Sequence, residues 1–200
     1  MLPAPTADLA LSLVNTRYWR PQPTPTETLN EPADLLAWAR AIPDLADQAE
    51  ACAAAWRAAP EAAAAGLASA LAWREAMAET LGAAARGVAL PDASLAALNA
   101  ALASVPGRTA LVCDGPAPPR IGWRGEAAAP LTALLAPSLW SAADLLSGPA
   151  RARLRVCDNP ECGWLFLDDS RAGRRRWCMM SACGNRAKAR RHYLKKKGGA

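Results

Sequence analysis

A chain of 200 residues that is 52 % apolar is long enough to bury a core as one or two domains, which excludes disorder as its overall description. Alanine dominates the apolar fraction while Phe occurs once and Tyr twice, so the core is expected to be built from Ala, Leu and the eight tryptophans, a composition that favours helix over sheet. The net charge of +5 divides unevenly: residues 1–150 carry 9 Lys or Arg against 14 Asp or Glu, or −5, whereas residues 151–200 carry 14 against 4, or +10. A basic segment of that strength is expected to seek a polyanion.

Taken in chain order, residues Thr6 to Tyr18 suggest a short helix with Leu9, Leu11, Leu13 and Val14 as its apolar positions, followed by an extended loop carrying Pro21, Pro23 and Pro25. Glu31-Pro32 opens a helix with Leu35, Leu36 and Trp38, and Ile42-Pro43 closes it. A second runs from Asp44 to Ala58, and Pro60 starts a long one to about Arg86. Along that helix Leu67, Ala70, Leu71, Arg74, Met77, Ala78 and Leu81 share one face by i, i+3, i+4 spacing, so Arg74 lies among apolar residues and needs a partner. Pro91 begins another helix to about Ser104. Thr109 to Cys113 and Arg120 to Arg124 flank an Asp114-Gly115 turn like the arms of a β-hairpin. A helix from about Glu126 to Leu146, bent or interrupted at Pro137, ends at Ser147-Gly148-Pro149. Alanine then gives way to charge, which places a boundary near residue 150: a helical domain over 1–150 and a basic module over 151–200.

Residues 1–20 lack the basic leader and apolar run of a secretory signal. The longest uncharged stretch, residues 127–143, holds Pro130 and Pro137 and is shorter than the roughly 20 residues of a membrane span, so a cytoplasmic, non-membrane protein is expected. In a reducing compartment the six cysteines are expected as thiols or metal ligands rather than disulfides. Cys52 and Cys113 stand apart and read as plain buried thiols. The other four, Cys157, Cys162, Cys178 and Cys183, form two Cys-x4-Cys pairs separated by fifteen residues. Two turn-like loops that each offer two thiolates satisfy a tetrahedral Zn²⁺ without a large core, and an all-cysteine set leaves no open position, so the ion is expected to be single and structural. Four thiolates and one Zn²⁺ together lower the segment's charge by 2, to about +8. Gly163 and Gly184 follow the two pairs, where a positive φ would turn amide N–H groups toward the sulfurs.

Between the pairs, Trp164 to Leu167 reads as a strand, Asp168 to Gly173 as a turn, and Arg174 to Trp177 as the returning strand. Gly184 to Lys197 suits a helix that starts at the metal, with Cys183, Ala187 and Leu194 facing it. Arg186, Arg190 and Lys197 then lie on one flank, and Lys188, Arg191 and Lys195 on the other. Knuckle, hairpin and a helix carrying the last ligand is a treble-clef-like order, attached here to a mainly α N-terminal domain with a small hairpin.

Cys157…Cys162, Phe166-Leu167-Asp168, Arg175-Arg176-Trp177-Cys178 and Cys183-Gly184-Asn185-Arg186-Ala187-Lys188 together resemble the CGNR zinc-finger family. Leu13-Val14-Asn15-Thr16 and Trp73-Arg74-Glu75-Ala76 are similar to features of the ABATE domain that accompanies that finger. The resemblance implies a bacterial, stress-linked transcription regulator with a DNA-binding finger.

The charge pattern agrees with such a partner, because phosphate contacts by clustered Lys and Arg supply most non-specific affinity. The expected contacts with double-stranded DNA are Arg174, Arg175, Arg176, Arg186, Lys188, Arg190 and Arg191. RNA and a zinc-scaffolded protein-interaction surface are the alternatives. An enzyme is not expected: no Gly-rich phosphate loop is present, and the one histidine, His192, lies in the basic tail away from any Ser or Cys partner. Asn15, Thr16, Arg17 and Arg74 are the polar candidates for a small-molecule effector site, set against a plain structural reading as helix caps and an ion pair.

Overall fold

Prolines and a capping carboxylate fix where most helices begin. In the computed structural model residues 8–112, 120–122 and 129–197 are described. Helix α1 (Leu9–Val14) starts at Asp8, whose carboxylate accepts the Leu11 amide at 3.0 Å. Pro32, Pro60 and Pro130 occupy the first turns of α2 (Pro32–Arg40), α4 (Pro60–Arg86) and α6 (Pro130–Ser147), where a missing N–H costs nothing. Between them lie α3 (Ala46–Ala58) and α5 (Asp92–Ser104), and α6 continues as a helix through Pro137. The first segment is shorter than its apolar pattern suggested: α1 stops at Val14, and Arg17–Tyr18 (β1) pairs antiparallel with Thr26–Glu27 (β2). The proline-rich loop is therefore the tip of a hairpin. A second hairpin pairs Ala110–Val112 (β3) with Arg120–Gly122 (β4). Its expected turn at Asp114-Gly115, and Cys113, lie outside the described residues.

Helix α4 is the central element, packing against α1, α2, α3, α5 and α6. Leu67, Ala70, Arg74, Met77 and Leu81 on its inward face are all buried. The interior is leucine and alanine; of the tryptophans among the described residues only Trp56 is buried, while Trp38, Trp73 and Trp140 sit at the rim of the core. This corrects the expected tryptophan core. The reason is visible in Trp38, whose indole N–H must reach a partner and donates to the Ser12 hydroxyl at 3.2 Å.

After a 3₁₀ stretch at Pro149–Arg153, β5 (Leu154–Val156) pairs antiparallel with β6 (Leu165–Leu167). The finger's hairpin is thus closed by the strand before the first cysteine, not by Arg174 to Trp177, which is not a strand. Leu154 and Leu165 are buried in the same cluster as the helices, so they anchor this hairpin on α4 and α1. One core runs across residue 150. A π turn at Met180–Gly184 leads into α7 (Asn185–Lys197).

Candidate metal centre and nucleic-acid surface

Strand β5 delivers Cys157 directly after Val156, and the knuckle up to β6 carries Cys162. The Cys162 amide donates to the Asn159 carbonyl at 2.9 Å, Gly163 turns the chain with φ +66°, and the Cys157 amide closes the loop on the Trp164 carbonyl at 2.9 Å. The second pair arrives on a segment organised by Asp168, which is 2 % exposed. Its carboxylate accepts the Ser170 hydroxyl at 2.6 Å and the amides of Ser170 and Arg175 at 3.1 and 2.9 Å. The Ser170 hydroxyl is the largest of the influences holding this carboxyl below its ordinary value, with the two amides and nearby Arg155 assisting against burial. Arg175 then stacks on the buried Phe166 ring at 4.7 Å, donates Nε to the Trp177 carbonyl at 2.9 Å and Nη2 to the Cys178 carbonyl. Arg176 pairs with Asp158 at 2.6 Å, while the Asp158 amide donates to the Arg176 carbonyl at 2.9 Å. These contacts replace the expected strand pairing: side chains and a single backbone hydrogen bond, rather than a ladder, hold the segment beside the knuckle.

The four sulfurs lie within 4.8 Å of one another, with Cys162–Cys178 at 3.8 Å and Cys178–Cys183 at 3.7 Å. A tetrahedral ion with Zn–S bonds of about 2.3 Å sets its sulfurs about 3.8 Å apart, so the donor set fits such an ion in both chemistry and spacing. Cys157, Cys162 and Cys183 are buried and Cys178 half-buried. The Cys178 amide and the Asn159 side-chain amide donate to the sulfurs of Cys157 and Cys183, each at 3.5 Å. The thiol protons lie between neighbouring sulfurs, Cys178 donating to Cys183 at 3.7 Å and one proton lying between Cys162 and Cys178 at 3.8 Å. A divalent cation would displace those protons and take the thiolates as ligands.

The two glycines serve different ends. Gly163 has the expected left-handed backbone, whereas Gly184 does not; a Cβ on Gly184 would stand 2.4 Å from Met180 Sδ and 3.3 Å from Trp177. A Cβ there would displace the flexible, half-exposed Met180 side chain, and the backbone itself has no left-handed φ. The next two residues finish the turn, Asn185 donating to the Ser181 carbonyl at 3.1 Å and Arg186 lying over the Trp19 ring at 4.5 Å.

A model described as "CGNR zinc finger" matches residues 153–196, and the ABATE model, described as "Putative stress-induced transcription regulator", matches residues 7–149. The chain belongs to the ABATE family. No curated protein matches it. Its four cysteines can hold a metal ion within a CGNR finger.

The seven cations expected to contact DNA separate into two groups in this ABATE protein. Arg175, Arg176 and Arg186 have internal partners, in Phe166, Asp158 and Trp19 respectively. Arg174, Lys188, Arg190 and Arg191 are exposed and make no hydrogen bond, ion pair or ring contact within the described residues. Arg186, Arg190 and Arg191 line a groove of about 800 Å³ together with Asn159, Glu161 and Trp177. Along α7, Cys183 is buried just before the helix and Ala187 is half-buried, while the side chains of Leu194 and Lys195 lie outside the described residues.

The effector candidates are brought together, but within a network the ABATE region makes for itself. Arg74, 2 % exposed, donates to both carboxylate oxygens of Glu27 at 2.6 Å, to Glu75 at 2.9 Å and to the Thr16 hydroxyl at 3.2 Å. Arg17 and Arg20 reach Glu75 at 3.4 and 2.5 Å. The Asn15 amide exchanges two hydrogen bonds with the backbone of Leu165, at 2.8 and 3.1 Å. This last contact joins the helical region to the finger and has no local sequence signal. Cys52 is fully buried, which pushes its thiol up to about 11 and agrees with a plain core role. No described helix is long and apolar enough to cross a membrane.

Proposed function

We propose that this protein is a non-enzymatic, cytoplasmic regulator that binds double-stranded DNA through its finger, with one structural Zn²⁺ held by Cys157, Cys162, Cys178 and Cys183. The observation that supports it best is the set of exposed, unpaired cations, Arg174, Lys188, Arg190 and Arg191, on and beside a helix that leaves the metal centre. Cations without carboxylate partners retain their full attraction for phosphate. The groove beside Arg186, Arg190 and Arg191 is where a phosphate backbone would lie. An effector of the helical region would act by disturbing the Arg74–Glu27–Glu75 network, because that network adjoins Asn15 and so the finger.

Anisotropy with a labelled random duplex tests the reading. If four cations reach phosphates, log K should fall against log salt with a slope of about −3.6, and Arg190→Ala with Arg191→Ala should lower its magnitude by about 1.8. Arg57→Ala, on the acidic half, should leave it unchanged. Zinc-loaded protein without duplex affinity at low salt would overturn the proposal in favour of a protein-interaction surface, and tighter binding of single-stranded RNA would favour that partner. Elemental analysis should find one zinc per chain, lost in Cys162→Ser; full retention by that variant would remove the four-thiolate assignment.

A further inference from the structure

The segment from Asn15 to Pro21 belongs by sequence to the helical region, yet Asn15, Tyr18, Trp19 and Pro21 each contact the finger. Asn15 pairs with the Leu165 backbone, Tyr18 lies 6.3 Å from Trp164 ring to ring, and Trp19 packs against the cluster formed by the ligand cysteines and Phe166. Pro21 closes on Gly163, where a Cβ would stand 2.8 Å from Pro21 Cδ and 3.1 Å from Arg20 Cβ. Gly163 is therefore needed twice, for its left-handed backbone and for this approach. On its other side the segment is fastened to α4 by Arg17 and Arg20, which share Glu75.

Trp19 is the one described non-glycine residue with a positive φ, +58°. A bulky side chain tolerates that backbone only where its surroundings hold it. Here the surroundings are a turn closed by the Gln22 amide on the Trp19 carbonyl at 2.9 Å, the metal-site cluster beside the ring, and the Arg186 guanidinium over it at 4.5 Å. Arg186 is the second residue of α7.

We infer that Trp19 is a positioning residue of the finger: its ring screens the metal centre and seats Arg186, so zinc retention and the setting of α7 depend on the helical region. The part concerning α7 rests on the DNA-binding reading; the part concerning zinc does not. Outer-shell groups commonly alter metal affinity by about 10- to 100-fold. The outer shell in this protein includes a residue more than a hundred positions away in sequence from the nearest ligand.

The test uses the full zinc-loaded chain. Transfer of zinc to the chromophoric chelator 4-(2-pyridylazo)resorcinol should be on the order of tenfold faster in both Trp19→Ala and Trp19→Gly, and within about twofold of wild type in Trp19→Phe, which keeps an aromatic face. Glycine relieves the positive φ, so wild-type release by Trp19→Gly would assign the effect to the backbone and overturn the inference. Wild-type release by Trp19→Ala would do the same. Pro21→Gly, which frees the Trp19 turn from Gly163 and leaves every residue of the finger unchanged, should also speed release, and covers the case in which a Trp19 variant does not fold. In duplex binding, Trp19→Ala and Arg186→Ala should be non-additive, the double variant binding about as well as the weaker single one. Full additivity would remove the seating of Arg186. If wild type binds no duplex, the DNA reading fails and zinc transfer alone decides the inference.

Discussion

Asp168 links three donors in a loop with no strand pairing of its own, so its carboxylate is the group on which the path to Cys178 depends. Replacing it by Ala leaves the Arg175 and Ser170 amides unpaired, and a cost of about 1–3 kcal/mol is expected. The check is a metal-competition titration alongside thermal unfolding: zinc affinity should fall in Asp168→Ala while the far-UV signal of the helical region stays near wild type. A second residue-scale prediction concerns Glu27. Burial raises its pKa, but the Arg74 hydrogen bonds and the Leu29 and Thr28 amides outweigh this and leave it below its ordinary 4.5. A carboxylate held low stabilises the fold above its unfolded value, and that contribution disappears as pH falls through the native value. Glu27→Gln should therefore destabilise the protein at pH 7, by about 2–3 kcal/mol because Arg74 is left buried with Glu75 as its remaining carboxylate. The gap between the two melting curves should close as the pH drops below 4.5. A gap of constant size across that range would show that Glu27 acts through packing rather than charge.

Among the elements, α7 is the least supported. Its described side chains from Lys188 to Tyr193 are exposed, and its entry is set by the π turn that carries Cys183. A helix of 13 residues is marginal in water, and this one repeats like charges along its length. Removing the metal should thus melt α7 first. Circular dichroism before and after chelation should show a loss of helix equivalent to about a dozen residues, while the Trp38 and Trp56 environment of the helical region changes little. The β5–β6 hairpin is the opposite case: its three-residue strands are too short to stand alone, and Leu154 and Leu165 secure it in the common core. Leu154→Ala should cost about 2–5 kcal/mol and lower the main melting transition rather than a separate one.

At the scale of the whole molecule, the family boundaries at 149 and 153 divide a chain whose packing does not divide there. A fragment of residues 1–150 keeps α1 to α6 and should remain helical, but it lacks Leu154 and Leu165 and leaves Asn15 without its partner. Losing two buried leucines at about 2 kcal/mol each should lower its melting temperature by roughly 10 °C relative to the zinc-loaded full chain. Calorimetry of the two forms decides this. Equal melting temperatures would mean that the finger contributes nothing to the stability of the helical region.

The sequence by itself determined the helical class, most helix starts, the hairpin arms near residues 110 and 122 and the four clustered cysteines. Each rests on a local rule: proline at a first turn, periodicity of 3.6, or two cysteine pairs at matched spacing. Family motifs such as Cys183-Gly184-Asn185-Arg186 were equally legible as strings. Only the tertiary structure decided how they are placed: Gly184 lies beside Met180, and Arg186 lies over Trp19 while lining a groove with Arg190 and Arg191. The pairing of β5 with β6, the seat of Asn15 on Leu165 and the burial of Arg74 between Glu27 and Glu75 were likewise out of reach. Short strands carry too few residues to show alternation, and a hydrogen bond across 150 positions depends on where packing brings its ends, which no window of sequence contains.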